Sequence, residues 1–233
     1  MTIVVGKRVS PTGRVVVGHN EDDGTPLWIK HGLVPARDWP DGSVLPASEG
    51  CNARIPQAAH TFSCYWSEVK FGCGDGCADS FLNENGVLVV SDNAAIVPFE
   101  DEHTKLADGG IYYNLRRAIA ERATGARDAV NVATNLLMTW GYAAPGRIYT
   151  VADRDEAWTI QVLKGRRFVA RRCPDDGVVV VPNCLTIGRI RPDDICSPNI
   201  RAKGIDFDFA AFYQGPRTWR SPVNRHRGLD LYR

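Results

Sequence analysis

Three short clusters set polar side chains at the ends of apolar runs. They are Gly18-His19-Asn20-Glu21-Asp22, Leu82-Asn83-Glu84-Asn85-Gly86 and Val181-Pro182-Asn183. The set is dispersed along the chain, yet its carboxylates, amides and imidazole suit one active site for acid–base work. What it lacks is a nucleophile to open that site. The amino terminus reads Met1-Thr2-Ile3-Val4-Val5-Gly6-Lys7, with neither cysteine nor serine.

The elements that must position these residues follow from periodicity. Residues 2–5 are β-branched and apolar, and residues 14–17 repeat that pattern after the Pro11-Thr12-Gly13 turn signal. The two runs read as a hairpin whose far end delivers His19 and Asp22. Residues 35–58 are rich in Pro, Gly, Asp and Ser and read as a long loop. Strands at 61–69 and 87–91 flank the glycine-rich turn 72–76. Ile111, Leu115 and Ile119 predict a helix over 111–124, closed at Gly125. Ala129, Val130, Ala133, Leu136, Leu137 and Trp140 predict a second over 127–140, with the broad apolar face of a helix lying on a sheet. Strands resume at 147–151, 157–162, 167–171 and 178–181. This order predicts an α+β domain, with helices layered on an antiparallel sheet whose central strand is 2–5.

A length of 233 residues suits a single domain spanning 1–233. The net charge of +1 gives no reason to expect nucleic acid or an acidic membrane surface as partner. The locally basic tail 217–233 reads as a solvated or partner-facing end. The apolar start is far too short for a signal or a membrane span. Seven scattered cysteines, an odd number, argue against a disulfide framework and fit a reducing, cytoplasmic setting. Cys73 and Cys77 form a C-x3-C, but no second pair follows to complete a metal site.

Taken in order, these motifs resemble the cysteine dipeptidases related to secernins. The resemblance rests on Thr-Ile-Val-Val-Gly-Lys, the Gly-His-Asn-Glu-Asp block, Tyr65-Trp66-Ser67-Glu68, Ala78 through Gly86, Ser91-Asp92-Asn93 and Val-Pro-Asn183. It runs from Thr2 to about Arg225. Such dipeptidases are N-terminal-nucleophile hydrolases, alongside bile-salt hydrolases and penicillin V acylases. The resemblance implies a four-layer αββα sandwich with antiparallel sheets and hydrolysis of linear C–N bonds in small peptides. It implies no metal or organic cofactor. The partner is a small peptide substrate, and a homo-oligomer is compatible with the sequence. The alternative is an inactive relative that binds a peptide or a protein.

The family mechanism uses the thiol of a first-residue cysteine, with its own α-amine as general base. The resemblance then gives Asp22 the part of orienting that amine. His19 stands where many relatives have arginine. Asn83 and Asn183 match positions that donate to the oxyanion or contact the amine. The plain readings stand beside these: Asn83 introduces an Asn-Gly hairpin turn, and Asn183 follows a proline at a strand end. Asp79 and Asp92 are further candidates to face substrate. Arg189 and Arg191 are candidates to hold its carboxylate, against a plain reading as surface arginines.

Two departures stand out. Aligned on Val5-Gly6-Lys7, Thr2 matches the family's third residue, so the family cysteine falls one position before Met1. Removal of Met1 would expose Thr2, a hydroxyl nucleophile two residues farther along the strand, about 6.6 Å away. Relatives of this kind also continue well beyond the segment matched here. A shortened chain is expected to expose an apolar surface that the remainder covers.

Overall fold

The computed structural model describes residues 1–21, 28–46, 53–70, 77–94, 96–97 and 100–219. Asp22, the turn 72–76 with Cys73, and most of the basic tail lie outside the described residues. The strands, in chain order, are β1 (Thr2–Val5), β2 (Val16–His19), β3 (Trp28–Val34), β4 (Arg37–Asp38), β5 (His60–Thr61), β6 (Cys64–Lys70), β7 (Cys77–Asn83) and β8 (Leu88–Asn93). Helices α1 (Asn114–Arg122) and α2 (Ala126–Trp140) follow. After them come β9 (Tyr142–Ala152), β10 (Ala157–Gly165), β11 (Arg167–Arg172), β12 (Val178–Val181), β13 (Ile195–Cys196), α3 (Pro198–Arg201) and α4 (Phe209–Trp219).

Among the described residues, the strands pair antiparallel throughout. A small sheet has the order β12-β1-β2, and a large one β13-β11-β10-β9-β8-β7-β6-β3. The expected hairpin of the first two runs is present, and β1 is central in its sheet. The expected helices form as well, but they pack on the large sheet rather than on the one that contains β1. Leu115, Ala118, Ile119, Ala129, Val130 and Ala133 share a core with Phe81, Val89, Tyr149, Val151 and Ile160 of the large sheet. The physical reason is area. A broad alanine-rich face buries more against eight strands than a three-stranded sheet can offer.

The opposite face of the large sheet carries the small sheet. Val4 packs there with Ala152, Ala157 and Cys173. Beside β12, α4 fills the same side, with Phe209, Ala210 and Tyr213 against Ile148, Leu163 and Val169. Small-sheet cover does not reach the other wing. Leu33, Tyr65 and Leu82 lie in one cross-strand row over β3, β6 and β7, exposed by 76%, 47% and 45%.

Two turns set the register near the site. Asn85-Gly86 closes the β7–β8 hairpin, and Gly86 takes the positive φ of 77° that this turn favours. Gly141, at φ 78°, ends α2 and sends the chain back as β9, whose residues 147–152 pair with β8.

Candidate active site at the first strand

Strand alternation turns Thr2 and Val4 inward, both buried, while Ile3 faces out. Met1 and Asn20 exchange backbone hydrogen bonds, with the α-amine donating to Asn20 O at 2.8 Å and Asn20 N to Met1 O at 3.0 Å. The next pair along the ladder, Thr2 and His19, is therefore a non-hydrogen-bonded one, in which side chains approach most closely. Thr2 Oγ lies 2.8 Å from His19 Nδ1. It also donates to Asp92 Oδ2 at 2.6 Å. The other carboxylate oxygen, Oδ1, is 2.7 Å from the α-ammonium of Met1. That contact is an ion pair without hydrogen-bond alignment. His19 Nε2 in turn faces Glu21 Oε2 at 3.3 Å.

Asp92 is the hub of this cluster and only 2% exposed. A buried carboxylate needs a cation and donors around it, and here they are the amine and the threonine hydroxyl. Its place comes from β8, where alternation sends Val90 and Asp92 toward β1 and Ser91 and Asn93 toward the helices. On that helix side, Arg116 and Arg147 both donate to Ser91 Oγ, at 3.0 and 3.1 Å. Both guanidinium groups also lie against the Tyr113 ring. Burial opposes the charge on Arg147, but the oxygens of Tyr142, Tyr149 and Tyr113 outweigh it and hold the group protonated.

The structure brings Thr2 and His19 together. Asn183 lies at the same end, since Thr2 pairs with Val181 and the ladder runs on toward it. Its Nδ2 donates to Asn93 O at 3.2 Å. Asn83 is not in the cluster. It lies opposite Val87 just before β8, five residues from Asp92, or about 17 Å on the strand rise. Its Nδ2 donates to Ala120 O and Ala123 O, at 2.9 and 2.7 Å. Its Oδ1 accepts from Asn85 N and Val87 N, at 3.1 and 2.9 Å. That uses the whole capacity of the side chain. Arg189 and Arg191 are exposed.

Sequence reasoning gave Asp92 only a minor part and assigned none to Glu21. The available signal was the Ser-Asp-Asn triplet at the end of the strand returning from the Asn-Gly turn. Among the described residues, no group of His, Cys, Asp and Glu could hold a metal ion, and no helix is long and apolar enough to cross a membrane.

Comparison with known proteins decides the family. The profile of Peptidase family C69 matches residues 1–206. The chain belongs to peptidase family C69. Probable dipeptidase B of Streptococcus pyogenes serotype M6 is 27% identical over 203 residues, covering 82% of this chain and 38% of that protein. The serotype M1 protein of the same description is 29% identical over 199 residues, with the same coverage. Probable dipeptidase B of Lactococcus lactis is 29% identical over 120 residues, 40% of this chain and 25% of its own. This C69 chain thus spans 38% of the length of the streptococcal relatives. Its fold is similar to that of penicillin V acylase from Agrobacterium tumefaciens, with a TM-score of 0.50 at 12% identity over 74% of this chain and 49% of that one. The dipeptidase resemblance read from the motifs is borne out at the level of family and fold.

Proposed function

We propose that this chain is a dipeptidase-type hydrolase of linear amide bonds in small peptides, working through an N-terminal nucleophile within an αββα sandwich. The observation that carries the reading is the meeting of Thr2 Oγ with His19 and buried Asp92 at the strand end that carries the amino terminus. Thr2 is the hydroxyl nucleophile once Met1 is removed, and His19 and Asp92 govern its proton. Asn183 supplies an amide donor beside the amino terminus, and Asp22 orients the amine as in the family. Asn83 serves the site indirectly, by fixing the β7–β8 hairpin that carries Asp92.

The ladder supports a second position for the nucleophile. Extended by one residue, β1 would place a cysteine before Met1 between Glu21 and Asn183. A thiolate there is the stronger nucleophile. The test is hydrolysis of a dipeptide panel by the chain with Met1 retained, with Met1 removed, and with a processed cysteine ahead of Met1. Turnover is expected to be least with Met1 retained, where Thr2 is buried and lacks a free amine, and greatest with the cysteine. Loss of the Met1-removed activity in Thr2→Ala assigns the hydroxyl. Peptide binding without turnover in every form would favour the binding-module alternative.

A further inference from the structure

Strand β3 is the outermost member of the large sheet and pairs with β6 on one side. Among the described residues, no strand pairs with its other edge. It runs for seven residues, Trp28-Ile29-Lys30-His31-Gly32-Leu33-Val34, and its ladder with β6 keeps one register throughout. Alternation puts Ile29, His31 and Leu33 on one face, and all three are exposed. For Ile29 the exposure is 53% and for Leu33 76%. A long, regular apolar edge is a template for another strand unless charges, prolines or bulges guard it. Within β3 the guard is a single lysine, Lys30, and its cross-strand neighbour is Glu68.

We propose that β3 seats a second copy of this chain, the two β3 edges pairing antiparallel about a twofold axis at His31. The strand is self-complementary about that residue. Full overlap of the seven residues sets Ile29 opposite Leu33 of the second copy, and Leu33 opposite its Ile29. Both are exposed on the same face, so each apolar side chain meets another. The row of Leu82, Tyr65 and Leu33 then runs on into Ile29 of the second copy. Lys30 falls opposite Gly32, so the two lysines do not face each other directly. A slip of two residues would set Leu33 or Ile29 against His31 and shorten the overlap to five residues. The net charge of +1 adds almost no repulsion between copies. Such an interface is isologous and closes at the dimer. A strand edge about 23 Å long on a sheet about 10 Å thick buries on the order of 300 Å² per copy. That is the scale of transient association, so the dimer belongs to micromolar and higher concentrations.

Sedimentation velocity of the full chain should show a dimer growing in between about 5 and 500 µM. Leu33→Lys should raise the dissociation constant by about tenfold or more. Cross-linking with oxidised glutathione reads the register. His31→Cys should form a disulfide dimer, because the axis brings the two positions to about 5 Å between Cα atoms. Ile29→Cys and Leu33→Cys should each fail to link to themselves, since either position lies about 14 Å from its counterpart. An equal mixture of those two variants should link. The unaltered chain gives the background from the native cysteines, and amide spectra check that each variant is folded. A monomer at every concentration would overturn the proposal and leave the edge to a different polypeptide. Self-linking of Leu33→Cys at the level of His31→Cys, or no link in the mixture of folded variants, would overturn it as well.

Discussion

Thr2 and His19 face each other across β1 and β2 as a close cross-strand pair, and the 2.8 Å contact between them sits directly beside a buried carboxylate. The hydroxyl is thus a structural part of the fold as well as a chemical candidate. Thr2→Val keeps the shape and the β propensity but removes the hydrogen bond to Asp92. Bonds to charged groups contribute about 1.5–3 kcal/mol. Urea unfolding should show a loss of that order, with an unchanged m-value. A neutral result would mean that Asp92 draws its support from the amine alone.

Asn83 separates a structural from a catalytic role. Its four hydrogen bonds tie the hairpin turn to the carbonyls at the end of α1. Asn83→Ala should cost about 3 kcal/mol, since buried donors and acceptors on both sides lose their partner. Activity measured in the cysteine-extended form should fall only in proportion to the folded fraction. A drop in kcat in fully folded protein would return Asn83 to the active site.

The hairpin β1–β2, the helix α2 and the C-terminal strands were legible because their apolar residues repeat cleanly at periods of 2 and 3.6. Strand β3 was not, since Lys30, His31 and Gly32 break its apolar run. In β7, Asp79 and Ser80 obscure the alternation in the same way. Helix α4 was hidden by Gly215 and Pro216, which read as breakers in isolation. His19 and Thr2 could be nominated by type and order, but the link from Thr2 to Asp92 spans 90 residues. Only the packing of β1, in the small sheet, against β8 of the large one creates it, and no local pattern encodes that. The choice of sheet by α1 and α2 was likewise a matter of total area, which a single helix face does not reveal.

Ser91 is the shared acceptor for two buried arginines. Ser91→Ala leaves two guanidinium donors without it, in a space walled by Tyr113 and the sheet. A loss of about 1–3 kcal/mol is expected, from the desolvated donors rather than from packing. Chemical denaturation checks the size. An increase in stability would show that the hydroxyl was dispensable to both arginines.

Two thiols make the fold sensitive to alkali. Burial, reinforced by Glu121 and offset in part by Arg117, pushes Cys64 up to about 11. Burial also pushes Cys173 up to about 12, against a smaller opposing effect of Arg172. In the unfolded chain both ionise near 8.5–9. The folded state holds these protons longer, so their contribution is fully present below about pH 9. It is lost as pH rises through about 11 to 12. Urea midpoints should therefore fall above pH 9, and the slope should flatten in Cys173→Ala. Neither thiol should react with a thiol reagent at pH 8 until the chain unfolds.

The row of Leu33, Tyr65 and Leu82 also fixes how the protein behaves as a colloid. A net charge of +1 provides almost no long-range repulsion between molecules. A bare apolar stripe at one end of a sheet then sets the limit of solubility. Sulfate strengthens apolar association while leaving the buried core intact. Salting-out should accordingly begin at this wing, well before the fold gives way, and a single lysine at position 33 should move the precipitation threshold more than the same charge placed elsewhere.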